Sequence, residues 1–210
     1  MMYDSVISIG GACEVAHQLR QFTGNHSANL FDWWITPFNG LVNVIENDFE
    51  GLLLQQNMTV VSRRSVACSR YGIVHHHDFR RDSEGFIVRE EIPSRVVELN
   101  SKHTMLVSRF RRSLSETRRI LLVRGWLDKL HEKRSSAQRG SLDHDFERLI
   151  SAVRTRFPEA NVSFLFVNYN TSDYVGDNVF FDDVHDYDDK VDWRGSTRGW
   201  HEMLSKHVTI

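Results

Sequence analysis

The sequence predicts a single α/β domain over residues 1–210, with helices covering both faces of a mostly parallel sheet. Three observations predict it. The stretch SVISIGGACEVAHQLRQF, starting at Ser5, passes from an apolar strand pattern through two glycines into a helix pattern. Strand and helix patterns alternate again at RRILLVRGW (118–126), 146–157 and VSFLFV (162–167). No internal repeat or low-complexity segment interrupts the 210 residues, a length that suits one large domain and buries most of its apolar surface without disulfides.

The elements follow in order. Val6–Ile9 reads as a buried strand ending in the Gly10-Gly11 turn. From Ala12 to Phe22, Val15, Ala16 and Leu19 recur at helical spacing until the polar TGNHSAN. Thr36-Pro37 predicts a second helix start, with a capping hydroxyl and a proline at the first helical position, and Phe38, Leu41, Val42, Ile45 and Phe49 share its inner face. Residues 58–92 read as β structure: Met58–Val61 and Tyr71–Val74 are short apolar runs, and Asp82-Ser83-Glu84-Gly85 is a hairpin turn before FIVREEI. From Ser94 to about Leu114, Val96, Leu99, His103, Leu106 and Phe110 restore the helical period. EKRSSAQRGS (132–141) is a polar surface loop. Phe146, Leu149, Ile150, Val153 and Phe157 define an amphipathic helix stopped by Pro158. NVFFDDV (178–184) is a last strand, and Ser196–His207 a short last helix.

Composition narrows the function classes. Lys+Arg is 26 and Asp+Glu 28, giving a net charge of -2, so the basic excess of a nucleic-acid binder is absent. No apolar run approaches the ~20 residues of a membrane span. Two cysteines, Cys13 and Cys68, make no disulfide framework and favour a reducing compartment. MMYDSVISIGG lacks the features of a signal peptide. The expected location is cytoplasmic, where the Asn-x-Ser/Thr sites at Asn25, Asn57, Asn161 and Asn170 carry no meaning.

In a parallel sheet, ligands sit beyond the carboxyl ends of the strands. That rule groups Gly10–Cys13, Arg124–Trp126, Asn168–Asn170 and Asp182–His185 around one crevice. Cys13 falls in the first turn of its helix, where unpaired amides favour an anion. A lowered thiol pKa is expected there, and the backbone at Gly11 and Ala12 can serve as oxyanion donor. The alternative is a small residue that fills a gap.

The motifs ISIGGACEVAHQLR, FDWW and HHHDF resemble those of a bacterial family labelled papain-like cysteine peptidases, a domain of unknown function. Its pattern is a strand, S-L-G-x-x-C, A-x-x-L-R, P-F-D-W, a helix ending N-D-F, and H-D-F. Ser8, Gly10 and Cys13 match the first motif, and Ala16, Leu19 and Arg20 the second. Phe31, Asp32 and Trp33 match the third, with Leu30 in place of its proline. Asn47, Asp48 and Phe49 match the fourth, and His77, Asp78 and Phe79 the last. The resemblance covers roughly the first 80 residues well and implies a Cys13–His77 catalytic pair.

The order of elements departs from that label. A papain fold does not begin with a buried strand feeding the cysteine helix, nor end in β/α units. An SGNH-hydrolase-like or Rossmann-like three-layer sheet is expected rather than a true papain fold. In the SGNH kind the nucleophile follows the first strand and an Asp-x-x-His pattern near the C-terminus supplies the base. Here that pattern is Asp182-Asp183-Val184-His185, so Asp182 could orient His185 as the rival base.

Other constellations have paired readings. His75 and His77, two apart on a strand, could share a zinc ion with His185 or Asp182, or form a polar strand edge. Asp32, among aromatics, either pairs with Arg20 or caps the next helix, or else orients the catalytic histidine. Trp33, Trp34, Trp126, Trp193 and Trp200 belong to the core or line a groove for a sugar or acyl chain. Arg124 binds an anionic substrate or pairs with Asp182. The run DDVHDYDDKVD lacks EF-hand spacing. Cys68 is assigned no role.

The expected function is a cysteine-dependent hydrolase or acyltransferase with Cys13 as nucleophile, His77 as preferred base and His185 as runner-up. Trp33, Trp126 and Arg124 are the candidate substrate contacts. It needs no cofactor or metal, and acts on a small-molecule, acyl or peptide substrate, with no nucleic-acid partner. The rival from another class is a non-catalytic carbohydrate- or protein-binding domain serving cell-surface polysaccharide assembly. A glycosyltransferase-like enzyme ranks third.

Overall fold

The computed structural model describes residues 2–116, 118–126, 140–169, 174–189 and 192–209. Its strands are β1 (Ser5–Ser8), β2 (Trp34–Ile35), β3 (Met58–Ser62), β4 (Ser65–Cys68), β5 (Ile73–His75), β6 (Ile120–Gly125), β7 (Val162–Val167) and β8 (Val179–Asp182). Its helices are α1 (Cys13–Thr23), α2 (Phe38–Glu46), α3 (Ile92–Glu116), α4 (Gly140–Arg156) and α5 (Thr197–His207). No helix among the described residues is long and apolar enough to cross a membrane.

The parallel sheet runs β1-β6-β7-β8. Every residue of β6 and β7 is buried, as continuous apolar strands covered on both faces require. Alternation divides the two faces. Ile120, Leu122, Phe164 and Phe166 pack with α2, α3 and α4, while Leu121, Val123, Leu165 and Val167 pack with Val15 and Leu19 of α1 and Trp200, Met203 and Leu204 of α5. This is the expected three-layer α/β arrangement.

A second sheet, antiparallel and ordered β2-β5-β4-β3, accompanies it. Its Cys68 and Ile73 join the same apolar cluster as α2 and the parallel sheet, so the Cys68 thiol is a packing group. A third cluster, with Leu53, Val66, Phe79, Val96 and Leu99, seals the second sheet against α3.

Several local expectations need correction. FIVREEI is no strand: the Asp82–Gly85 turn forms, but only an isolated Arg81–Ile87 bridge follows it before the chain turns into α3. Thr36 does not cap α2. Pro37 occupies the N-cap, and the Thr36 hydroxyl is buried without a partner among the described residues. The second helix stops at Glu46, because Asp48 and Phe49 take left-handed torsions; Phe49 still reaches the core. Trp34–Ile35, assigned to no element from the sequence, forms the edge of the second sheet. Residues 132–139 of the polar loop and Asn170 lie outside the described residues.

A buried polar cluster ties the second sheet to α3. Asp78 accepts from Trp34 Nε1 (2.9 Å), and its Oδ2 lies 3.1 Å from His75 Nδ1. Trp34 stacks on His103 at 4.9 Å and 9°. Burial pulls the His103 pKa down from 6.5 to about 4, with Asp78 opposing. Between those two pH values the unfolded chain takes up a proton that the folded chain refuses. Stability should therefore fall as pH falls from 6.5 to 4, by about 3 kcal/mol in all. His103→Phe keeps a ring against Trp34, and should flatten that part of the wild-type profile in denaturant titrations.

Candidate active site at the β1–α1 turn

The turn is built by close backbone approach. Gly10 and Gly11 have φ of +87° and +102°. A Cβ on Gly11 would collide with the carbonyl oxygen of Gly125 at the end of β6, and one on Gly10 would lie 2.9 Å from Thr36. Thr36 N donates to Gly11 O at 3.2 Å, and Gly125 N donates to Gly10 O at 3.3 Å. Only glycine supplies both torsions and clearance. Ala12 follows as N-cap, and Cys13 is the first residue of α1.

Cys13 is half-buried. Burial pushes its thiol pKa up, its own main-chain amide pulls it down, and the charge of Asp32 pushes it up again. The net shift is upward, opposite to the expectation from the helix start alone, because loss of water and a neighbouring carboxylate outweigh the amide.

Asp32 is 1% exposed. Its Oδ2 accepts from Arg20 Nη2 (2.6 Å) and from the Asn29 amide (2.7 Å). Burial raises its pKa, with the amide and Arg20 opposing. Among the described residues its bonds lead to Arg20 and Asn29 and to no histidine. The Arg20 guanidinium lies 5.0 Å over Trp33, and Trp33 meets the exposed His77 ring edge-on at 5.9 Å. A continuous run of contacts thus leads from Asp32, beside Cys13, to His77.

The chain belongs to a known family. The family model described as "Putative papain-like cysteine peptidase" matches residues 4–172. Membership takes in both sheets as far as β7, and with them Cys13, Asp32, Trp33 and His77; β8 and α5 fall beyond it. No curated protein and no solved structure matches the chain.

The family stretch also places the remaining candidates. Arg124 is wholly buried. It donates to the carbonyls of Thr36 (2.8 Å) and Ile9 (3.4 Å) and stacks over Phe38 at 4.8 Å. It clamps the first strand to the start of α2. Trp126 is half-buried, edge-on to Tyr169 at 5.0 Å, next to the Gly125 that Gly11 touches. His75 is buried against Asp78 whereas His77 is exposed: the strand ends at His75 and alternation stops there.

Beyond the family stretch, Asp182 makes no hydrogen bond to His185 among the described residues. Its carboxylate bonds His207 Nε2 (2.9 Å) and Lys206 Nζ (3.1 Å), both on α5. Burial raises the Asp182 pKa, but these bonds outweigh it and the net shift is downward. His185 is exposed, edge-on to Tyr187 at 4.5 Å. The Asp-x-x-His spacing is broken because the chain after β8 turns to meet α5, where Gly199 packs on the His185 carbonyl.

One histidine on the Cys13 helix escaped sequence reasoning. His17 follows Cys13 by four positions and precedes Arg20 by three, so the three share one stripe of α1 away from buried Val15 and Leu19. Burial, then the charge of Arg194, lowers its pKa. Its ring meets Trp193, 54% exposed, edge-on at 5.5 Å. The i, i+4 spacing from a cysteine was the available signal.

Proposed function

We propose that the protein is a cysteine-dependent hydrolase in which Cys13 attacks the carbonyl carbon of a peptide or other acyl substrate. The observation that carries this reading is the placement of Cys13 as first residue of α1, on a two-glycine turn, with its own amide facing the sulfur. The sulfur bonds to the carbonyl carbon while its proton passes to an imidazole, preferably His77. The main-chain amides at the start of α1 receive the developing oxyanion. The imidazole then returns the proton to the leaving group, and water releases the acyl group by the reverse sequence. Trp33 and Trp126 flank the substrate.

Family membership and the contacts from Asp32 through Arg20 and Trp33 support His77 over His185. A raised thiol pKa suits a mechanism in which the proton leaves during attack rather than beforehand. It also makes the reading testable. Iodoacetamide labelling of Cys13 should rise with pH along a curve displaced above the ordinary thiol range. Asp32→Asn removes the opposing charge and should move that curve to lower pH. Labelling of Cys13 that is absent until unfolding would favour the non-catalytic binding reading, in which exposed Trp193 and half-buried Trp33 form the contact surface.

A further inference from the structure

We propose that the cavity between α3 and the turn after α2 is a binding site for a small phosphate, as the free ion or a phosphate monoester. The cavity has a volume of about 200 Å³. Asn100, His103, Thr104, Ser108 and Arg111 line it from successive turns of α3, and the chain at 51–54 closes the other side. This volume lies below the ~300–1,000 Å³ of drug-sized pockets and suits a ligand of few heavy atoms.

Two groups in its wall point to a ligand. His103 is 4% exposed, and neither of its ring nitrogens has a partner among the described residues. Trp34 stacks on the ring and holds its plane. The Arg111 Nε is likewise buried and partnerless. Its Nη2 is used, donating to Asp48 Oδ1 (2.7 Å) and Asp48 O (3.1 Å). Buried polar groups are costly to leave without a hydrogen bond.

Donor count and charge select the ligand class. Arg111 Nε offers an N–H, and neutral His103 offers one N–H and one lone pair. The Thr104 hydroxyl donates to Asn100 O (2.9 Å), while Ser108 stands exposed at the rim. The single carboxylate of Asp48 is shared by Arg111 and Arg156, which leaves this group with one net positive charge. The complement is an anion with several acceptor oxygens and one O–H, the pattern of monohydrogen phosphate and of the singly protonated monoester.

The test titrates the full chain with sodium phosphate, monomethyl phosphate or glycerol at constant ionic strength. The His103 imidazole resonances and the heat of binding are followed. A saturable response to either phosphate with none to glycerol is expected; saturation by inorganic phosphate assigns the free ion, and saturation by the methyl ester alone assigns a monoester. Ser108→Asp adds a carboxylate at an exposed rim position and should weaken binding about tenfold or more, with an unchanged Tm. Asn100→Asp, on the preceding turns of the same face, should do the same. No saturable response to either phosphate, an equal response to glycerol, or undiminished binding by both variants would overturn the proposal.

Discussion

Cys13→Ala is expected to lower acyl-substrate turnover by at least about 10³-fold while leaving Tm close to that of the wild type. The group removed is the one that forms the covalent bond, so loss should appear in kcat and in burst-phase acyl-enzyme, with little change in substrate binding. Alanine suits the first turn of a helix, and the half-buried Cys13 lies outside the three apolar clusters, so stability has little to lose. Cys13→Ser keeps the shape but weakens the nucleophile, and should fall between the two. Wild-type turnover in the alanine variant would remove the hydrolase reading.

Gly11→Ala is expected to cost at least about 3 kcal/mol, a fall in Tm of about 6–12 °C for a chain of this size. Two penalties act together. A φ of +102° is unfavourable for any residue with a Cβ, and the Cβ would meet the Gly125 carbonyl. That carbonyl belongs to β6, whose neighbours β1 and β7 prevent it from moving away. Gly24→Ala makes the control. Gly24 ends α1 at φ +67° with open space around it, so the torsional cost of about 1 kcal/mol stands alone. Equal melting of the two variants would mean that β1–α1 and β6 are not held in contact as described.

Much of the scaffold was legible because its signals are local. Continuous apolar runs marked β6 and β7, and 3.6-residue spacing marked α3 within a few residues and α4 from Phe146 onward, although α4 begins earlier, at Gly140, inside the stretch read as a loop. The exceptions are instructive. The two-residue strand Trp34–Ile35 is too short to show a period, and its partner His75 lies 41 positions away. Thr36-Pro37 has the composition of a helix start, yet the Thr36 carbonyl is drawn to Arg124 and its amide to Gly11, which turns the hydroxyl inward. At the candidate site, Cys13 on its two-glycine turn was readable, and the Arg20–Asp32 pair was among the readings. The upward pull on the thiol was not, because it comes from burial and from a carboxylate 19 positions along the chain.

By itself the sequence determined the alternation of strands and helices, the glycine turn that carries Cys13, and the motifs of its family, since each is written in residues a few positions apart. Only the tertiary structure decided that Arg124 is an internal clamp, that Asp182 serves α5 rather than His185, and that Trp33 joins Arg20 to His77. The reason is physical: periodicity reports which face of an element is apolar, whereas the partner of a buried charge depends on how distant elements pack, and the nearest oppositely charged or hydrogen-bonding group in space wins over the nearest in sequence.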